Sequence, residues 1–129
     1  MWELIGLVNP PQMKGPTMTN VIPHRFQGFS GSWYNFFMSD LPTNASASCG
    51  VYIFGRRRTD GLYDVLYIGR ASRISDRVTR THEKLSPAIT LGMTTLGQAA
   101  CANDTDADAI ERDLIARFNP PLNRNHRTG

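Results

Sequence analysis

The sequence predicts an α+β domain, a small three-stranded antiparallel sheet flanked by helices, preceded by an irregular N-terminal arm. Three observations lead there. Two β-branched and aromatic runs, Val51-Tyr52-Ile53-Phe54 and Val65-Leu66-Tyr67-Ile68, flank an Asp60-Gly61 turn signal. Two later stretches carry apolar residues at helical spacing, and a short apolar run lies between them. The implied order is β, β, α, β, α. At 129 residues the chain fits one domain with one modest core.

Residues 1–47 form the arm. They hold Pro10, Pro11, Pro16, Pro23 and Pro42, a density that argues against long helices and central strands. The aromatic cluster from Gly28 to Phe37 is expected to pack onto the domain, because a free aromatic run is a liability. Contact with DNA or a second subunit is the alternative use.

The domain proper occupies residues 48–129. After the hairpin, Gly69 breaks the second strand, and Ser72 or Ser75 is placed to cap a helix running to about Leu85, which Pro87 ends. Ile74, Val78 and Leu85 would dock on the sheet, with Arg73, Arg77, Arg80 and Lys84 forming a neighbouring basic stripe. Gln98-Ala99-Ala100-Cys101-Ala102 is the third strand. Asp104 or Thr105 then caps a helix from about Asp106 to Phe118, with Ala107, Ile110, Leu114 and Phe118 as its core stripe. Asp108 with Arg112, and Asp113 with Arg117, are spaced as exposed i,i+4 pairs.

Composition narrows the functional classes. Hydrophobic residues make up 40% and charged residues 19%, too apolar for wholesale disorder and without any run long enough to span a membrane. The start, Met1-Trp2-Glu3, lacks the features of a secretory signal, so a cytoplasmic protein is expected, with Cys49 and Cys101 as buried reduced thiols. Net charge is only +3, but Arg56, Arg57, Arg58, Arg70, Arg73, Arg77, Arg80 and Lys84 place eight of the 14 basic residues in one window. Such clustering suits a polyanion surface and equally a solvated face; charge alone leaves the two evenly matched.

Two metal motifs fail on inspection. His82-Glu83 opens a zinc-protease pattern but reaches Ser86 where the second histidine belongs, and Asp104-Thr105-Asp106-Ala107-Asp108 lacks the glycine and glutamate of a calcium loop. Glu111 is more informative, since it borders the apolar stripe of its helix, where a carboxylate needs a partner. An arginine partner and a magnesium ion both answer that need. Tyr52 and Tyr67, taken singly, read as core tyrosines with hydroxyls at the rim.

Taken together, these residues resemble the GIY-YIG nuclease superfamily. Gly50-Val51-Tyr52, then Tyr67-Ile68-Gly69, then Arg77 eight positions on, then Glu111, then Asn123 twelve positions after it, are five separated elements in order, covering about residues 49–124. The resemblance implies DNA phosphodiester hydrolysis in a single-metal site, with Mg2+ or Mn2+ on Glu111. It implies that Tyr52 is the general base, Tyr67 positions phosphate or water, Arg77 neutralises the scissile phosphate and Asn123 orders the site. It also implies that Arg56, Arg57, Arg58, Arg70, Arg73, Arg80 and Lys84 contact DNA, with the long hairpin extending Arg56 to Arg58 toward it. Members usually carry His or Tyr four residues after the arginine. Here that position is Thr81, and His82, one further on, lies roughly 140° around a regular helix. A helix bulge would bring His82 into the site, where it is counted as catalytic. A binding module without turnover and a structure-specific repair nuclease are the alternatives; restriction and mobile-element roles stay open. Specificity is expected from the arm, the Arg56 to Arg58 turn, a homodimer or a partner protein.

Overall fold

The computed structural model describes residues 21–124. Its strands are β1 (Val21–Gln27), β2 (Trp33–Asp40), β3 (Gly50–Arg57), β4 (Tyr63–Ala71) and β5 (Thr95–Ala100). Its helices are α1 (Ile74–Arg77), α2 (Leu85–Thr90) and α3 (Asp104–Phe118). The strands form one antiparallel sheet in the order β1-β2-β5-β3-β4.

The expected α+β class holds, with five strands rather than three. Much of the segment expected to be irregular is the β1–β2 hairpin, which pairs through β2 with β5. Pro23 fits this arrangement because β1 is an edge strand, where a missing N–H is tolerated. The portion of the arm in residues 1–20 lies outside the described residues. At the hairpin tip, Asp113 of α3 accepts hydrogen bonds from the Ser30 backbone N–H, the Ser30 hydroxyl and the Tyr34 hydroxyl at 2.8, 2.7 and 2.7 Å. The expected Asp113–Arg117 pair is therefore replaced, whereas Arg112 Nε does donate to Asp108 at 2.9 Å.

The β3–β4 hairpin forms around the expected turn. Gly61 adopts φ +85°, which favours glycine, and the Asp60 carboxylate accepts from the Leu62 N–H. Register then fixes which side chains share a face. Tyr52, Phe54 and Tyr67 pack with Ile74, Val78 and Leu85 in one apolar cluster, while Phe36, Met38, Val51, Ile53 and Ile68 pack with Ala107 and Leu114 in the other. The sheet curls around the second cluster so strongly that its two edges meet: the His24 ring of β1 stands edge-on to Tyr63 of β4 at 5.1 Å.

The single basic helix expected to run to Leu85 is two short helices. α1 ends at Val78, whose φ −90° and ψ 85° leave the helical region. Neither serine caps it: the Ile74 and Ser75 N–H groups donate to the Ser48 and Ser46 carbonyls, and the Ser72 hydroxyl donates to Asp104. Pro87 lies in the first turn of α2 rather than beyond a helix end, where its missing N–H leaves no helical bond unmade. Cys49 and Cys101 are free thiols, half-buried rather than fully buried. Among the described residues, no helix is long and apolar enough to cross a membrane.

Candidate active site

Strand pairing builds the centre of the site. β3 and β4 place Tyr52 opposite Gly69, and a Cβ at Gly69 would overlap the ring and hydroxyl of Tyr52. The glycine is thus the space into which the tyrosine folds. Tyr52 and Tyr67 lie with ring centroids 6.2 Å apart, and His82 stands edge-on to both, at 5.7 and 5.5 Å. Asn123 secures the strand that carries Tyr67 and Gly69. Its Oδ1 accepts from the Ile68 N–H at 2.8 Å and its Nδ2 donates to the Ile68 carbonyl at 2.9 Å, so one buried amide satisfies both backbone groups at the β4 edge.

The two tyrosines, the glycine and the asparagine that carry the sequence resemblance meet here. The motif glycine after the second tyrosine admits the ring of the first, and the distant asparagine fixes the backbone between them.

The break after α1 brings His82 to that centre. The Tyr52 hydroxyl and His82 Nε2 are 2.8 Å apart, and the imidazole is wholly enclosed. No helix bulge is needed, because residues 79–84 are not helical. The direction of the hydrogen bond follows from the other ring nitrogen. The Lys84 backbone N–H donates to His82 Nδ1 at 3.0 Å, so Nδ1 carries no proton in the neutral ring. Burial, with help from the Arg77 charge, lowers the His82 pKa to about 4, which keeps the ring neutral near pH 7. Its proton is therefore on Nε2, and Nε2–H donates to the Tyr52 oxygen. His82 supports the tyrosine's negative form; it does not remove the tyrosine's proton.

Burial pushes both tyrosines above the ordinary phenol range, and the Tyr67 charge adds to the effect on Tyr52. The Arg77 charge acts in the opposite direction on each. Arg77 is held by Glu83, Nη2 to Oε2 at 2.9 Å, and this pairing holds the Glu83 carboxyl down at about 2. Glu83 has no place in the motif and was not legible from it.

Glu111 approaches from α3. Its side chain is 20% exposed, burial raises its pKa, and Arg70 Nε lies 3.4 Å from Oε1 while also reaching Asp108 at 3.2 Å. Among the described residues no protein group pairs with Oε2, and no cluster of three or more His, Cys, Asp or Glu is present. A single half-buried carboxylate with one oxygen unengaged suits Mg2+, which binds one or two protein carboxylates and keeps water or phosphate oxygens elsewhere; it does not suit zinc.

The outer arginines divide differently. Arg56 pairs with Asp64 at 2.7 Å and donates to the Leu91 carbonyl. Arg57 pairs with Asp40 at 2.8 Å, and Arg58 with Asp60 at 2.9 Å. Arg56 and Arg57 lie four and five residues along β3 from Tyr52, roughly 13 to 17 Å away at strand spacing, and Arg58 follows just past the strand's end. Arg73, Arg80 and Lys84 flank the α1–α2 break, with Arg73 and Arg80 exposed.

No protein-family model matches the chain, and no curated protein matches it. Among solved structures it is similar to the GIY-YIG N-terminal endonuclease domain of UvrC from Thermotoga maritima bound to its catalytic divalent cation, magnesium, at 28% identity, covering 60% of this chain and 84% of that chain, with a TM-score of 0.46. Two tyrosine-to-phenylalanine point mutants of the same Thermotoga maritima domain match at 28% and 27% identity, each covering 60% of this chain and 83% of that chain, with a TM-score of 0.46.

Proposed function

We propose that the chain is a divalent-metal-dependent DNA endonuclease that hydrolyses phosphodiester bonds at a single-metal site of GIY-YIG type. The observation that carries this reading is the convergence of Tyr52, Tyr67 and His82, linked by the 2.8 Å Tyr52–His82 hydrogen bond. Water must lose a proton as its oxygen bonds to phosphorus, and the departing ester oxygen must be relieved of charge. Tyr52 takes that proton. The phenolate it requires is supported by His82 Nε2–H and by the Arg77 charge, against the opposing effect of burial.

Tyr67 positions the attacking water or a phosphate oxygen, and Arg77 moves from Glu83 onto the phosphate as substrate arrives. Asn123 positions by fixing the strand. Glu111 would hold Mg2+ or Mn2+, which when bound would supply Lewis-acid charge to offset the negative charge of the phosphate and of the departing ester oxygen. Arg70, Arg73, Arg80 and Lys84 form the basic rim for the DNA backbone; Arg56 to Arg58 contact it farther out. A cytoplasmic setting and a repair role on branched or damaged DNA fit this reading, and a homodimer or partner protein would add a second cut or specificity.

A second reading, a DNA-binding module without turnover, is favoured by one observation: Arg77 is already paired with Glu83, and Arg70 with Glu111. Supercoiled plasmid separates the two. The nuclease nicks it with Mg2+ and not with EDTA, and Glu111→Gln, verified as folded, loses at least ~100-fold in rate. Bound but uncut plasmid would establish the module instead, as would nicking that survives Glu111→Gln undiminished.

A further inference from the structure

The curl of the sheet leaves a cleft away from the tyrosines. It opens where the β1 edge meets the start of β4 and the end of α3 closes the third side, with a volume of about 440 Å³, within the range of ligand clefts. Trp33, Tyr63 and Phe118 supply aromatic walls, and Arg25, Arg58 and Arg117 supply three guanidinium groups. No acidic side chain lines it.

The charges there are only partly spoken for. Arg58 has Asp60 at 2.9 Å, but among the described residues Arg25 and Arg117 have no carboxylate partner. Instead they lie over rings, Arg25 at 4.9 Å from the Trp33 centroid and Arg117 at 5.3 Å from that of Phe118. Trp33 is 53% exposed, although a tryptophan gains most from burial. A ligand suited to this lining presents a flat π-face and a phosphate together. A paired base within a duplex offers its phosphate and hides its face in the stack, whereas an unpaired nucleotide offers both.

We infer that this cleft is a second nucleic-acid contact, holding an unpaired nucleotide of the DNA with its base against the aromatic walls and its phosphate on the arginines. The inference takes its partner from the DNA reading above and needs no turnover. Arg58 lies just past the end of β3, six residues after Tyr52, which sets the unpaired stretch roughly 20 Å from the cut. It also favours flaps, gaps and branches over uninterrupted duplex as substrates.

The test uses metal-free protein carrying Trp2→Phe, so that Trp33 is the sole tryptophan. It is titrated with single-stranded oligothymidylate, with blunt duplex and with polyglutamate. Single strand should alter Trp33 emission and bind at least roughly 10-fold tighter than duplex. Arg117→Ala, at an exposed helix end, should lower the salt slope of that binding by about one, and Trp33→Ala should weaken it roughly 10-fold while Trp33→Phe largely retains it. Equal binding of duplex and single strand, or no change at Trp33, overturns the inference. So does an equal Trp33 response to polyglutamate, which would make the cleft a contact for acidic protein. Because nicking is scored separately, a chain that responds to single strand yet never cuts retains the cleft and loses the nuclease reading.

Discussion

The two faces of the sheet are built from alternating residues of the same strands and are chemically unlike. Toward α3, Val51, Ile53, Ile68, Met38 and Phe36 meet Leu114 and Ala107, and that interior is almost wholly apolar. Toward α1 and α2, Tyr52 and Tyr67 bury their rings beside an enclosed imidazole. A buried hydroxyl or imidazole costs free energy unless hydrogen-bonded, so folding alone would favour Phe and Leu at these places. The apolar face holds the sheet together, and in the function proposed above the polar face uses that rigidity to fix reactive groups.

The largest effect should come from the apolar face. Leu114→Ala opens a cavity where the side chain is fully buried and should cost about 2–5 kcal/mol of unfolding free energy in a denaturant titration. Its nicking rate, measured while the protein is still folded, should stay near the parent's. A catalytic collapse in folded Leu114→Ala would erase the division between faces.

Next is His82, through pH. Its folded pKa of about 4 lies below its ordinary 6.5, so between those values the unfolded chain binds more protons and stability rises with pH. Acidification from pH 6.5 toward 4 should therefore remove stability, about 3 kcal/mol at most. His82→Asn should flatten that stretch of the stability profile; an unchanged slope would place the acid sensitivity elsewhere.

Asn123→Ala should be smaller, about 2 kcal/mol, because it leaves the Ile68 N–H and carbonyl at the sheet edge without their partner. Hydrogen exchange read at Ile68 should accelerate more than at Ile53 on the neighbouring strand. Equal acceleration at both would indicate a general loss of stability instead of a local clamp.

Much of this was legible where the signal is local. The paired runs around Asp60-Gly61 gave the central hairpin, and the spacing of Ala107 and Leu114 gave the buried stripe of α3. The β1–β2 hairpin was not, since its place depends on pairing with β5 some 60 residues on, as between Phe37 and Gln98, and Pro23 argues for a loop when its edge position is unknown. The helix period from Ile74 to Leu85 was also misleading. The chain leaves the helix at Val78, the Thr79 and Thr81 hydroxyls bond to one another in the turn that follows, and His82 then turns in toward Tyr52. Glu83 on Arg77 and the Lys84 N–H on His82 are contacts that only the folded chain reveals, as is the room that the motif glycine Gly69 leaves for the Tyr52 ring.

The most direct test of a chemical role for the polar face is Tyr52→Phe, which removes one oxygen and keeps the ring. Metal-dependent plasmid nicking should fall by at least ~100-fold while the unfolding free energy stays within about 1 kcal/mol of the parent. Nicking at the parental rate by a folded Tyr52→Phe would contradict the account, leaving the buried hydroxyl a structural feature only.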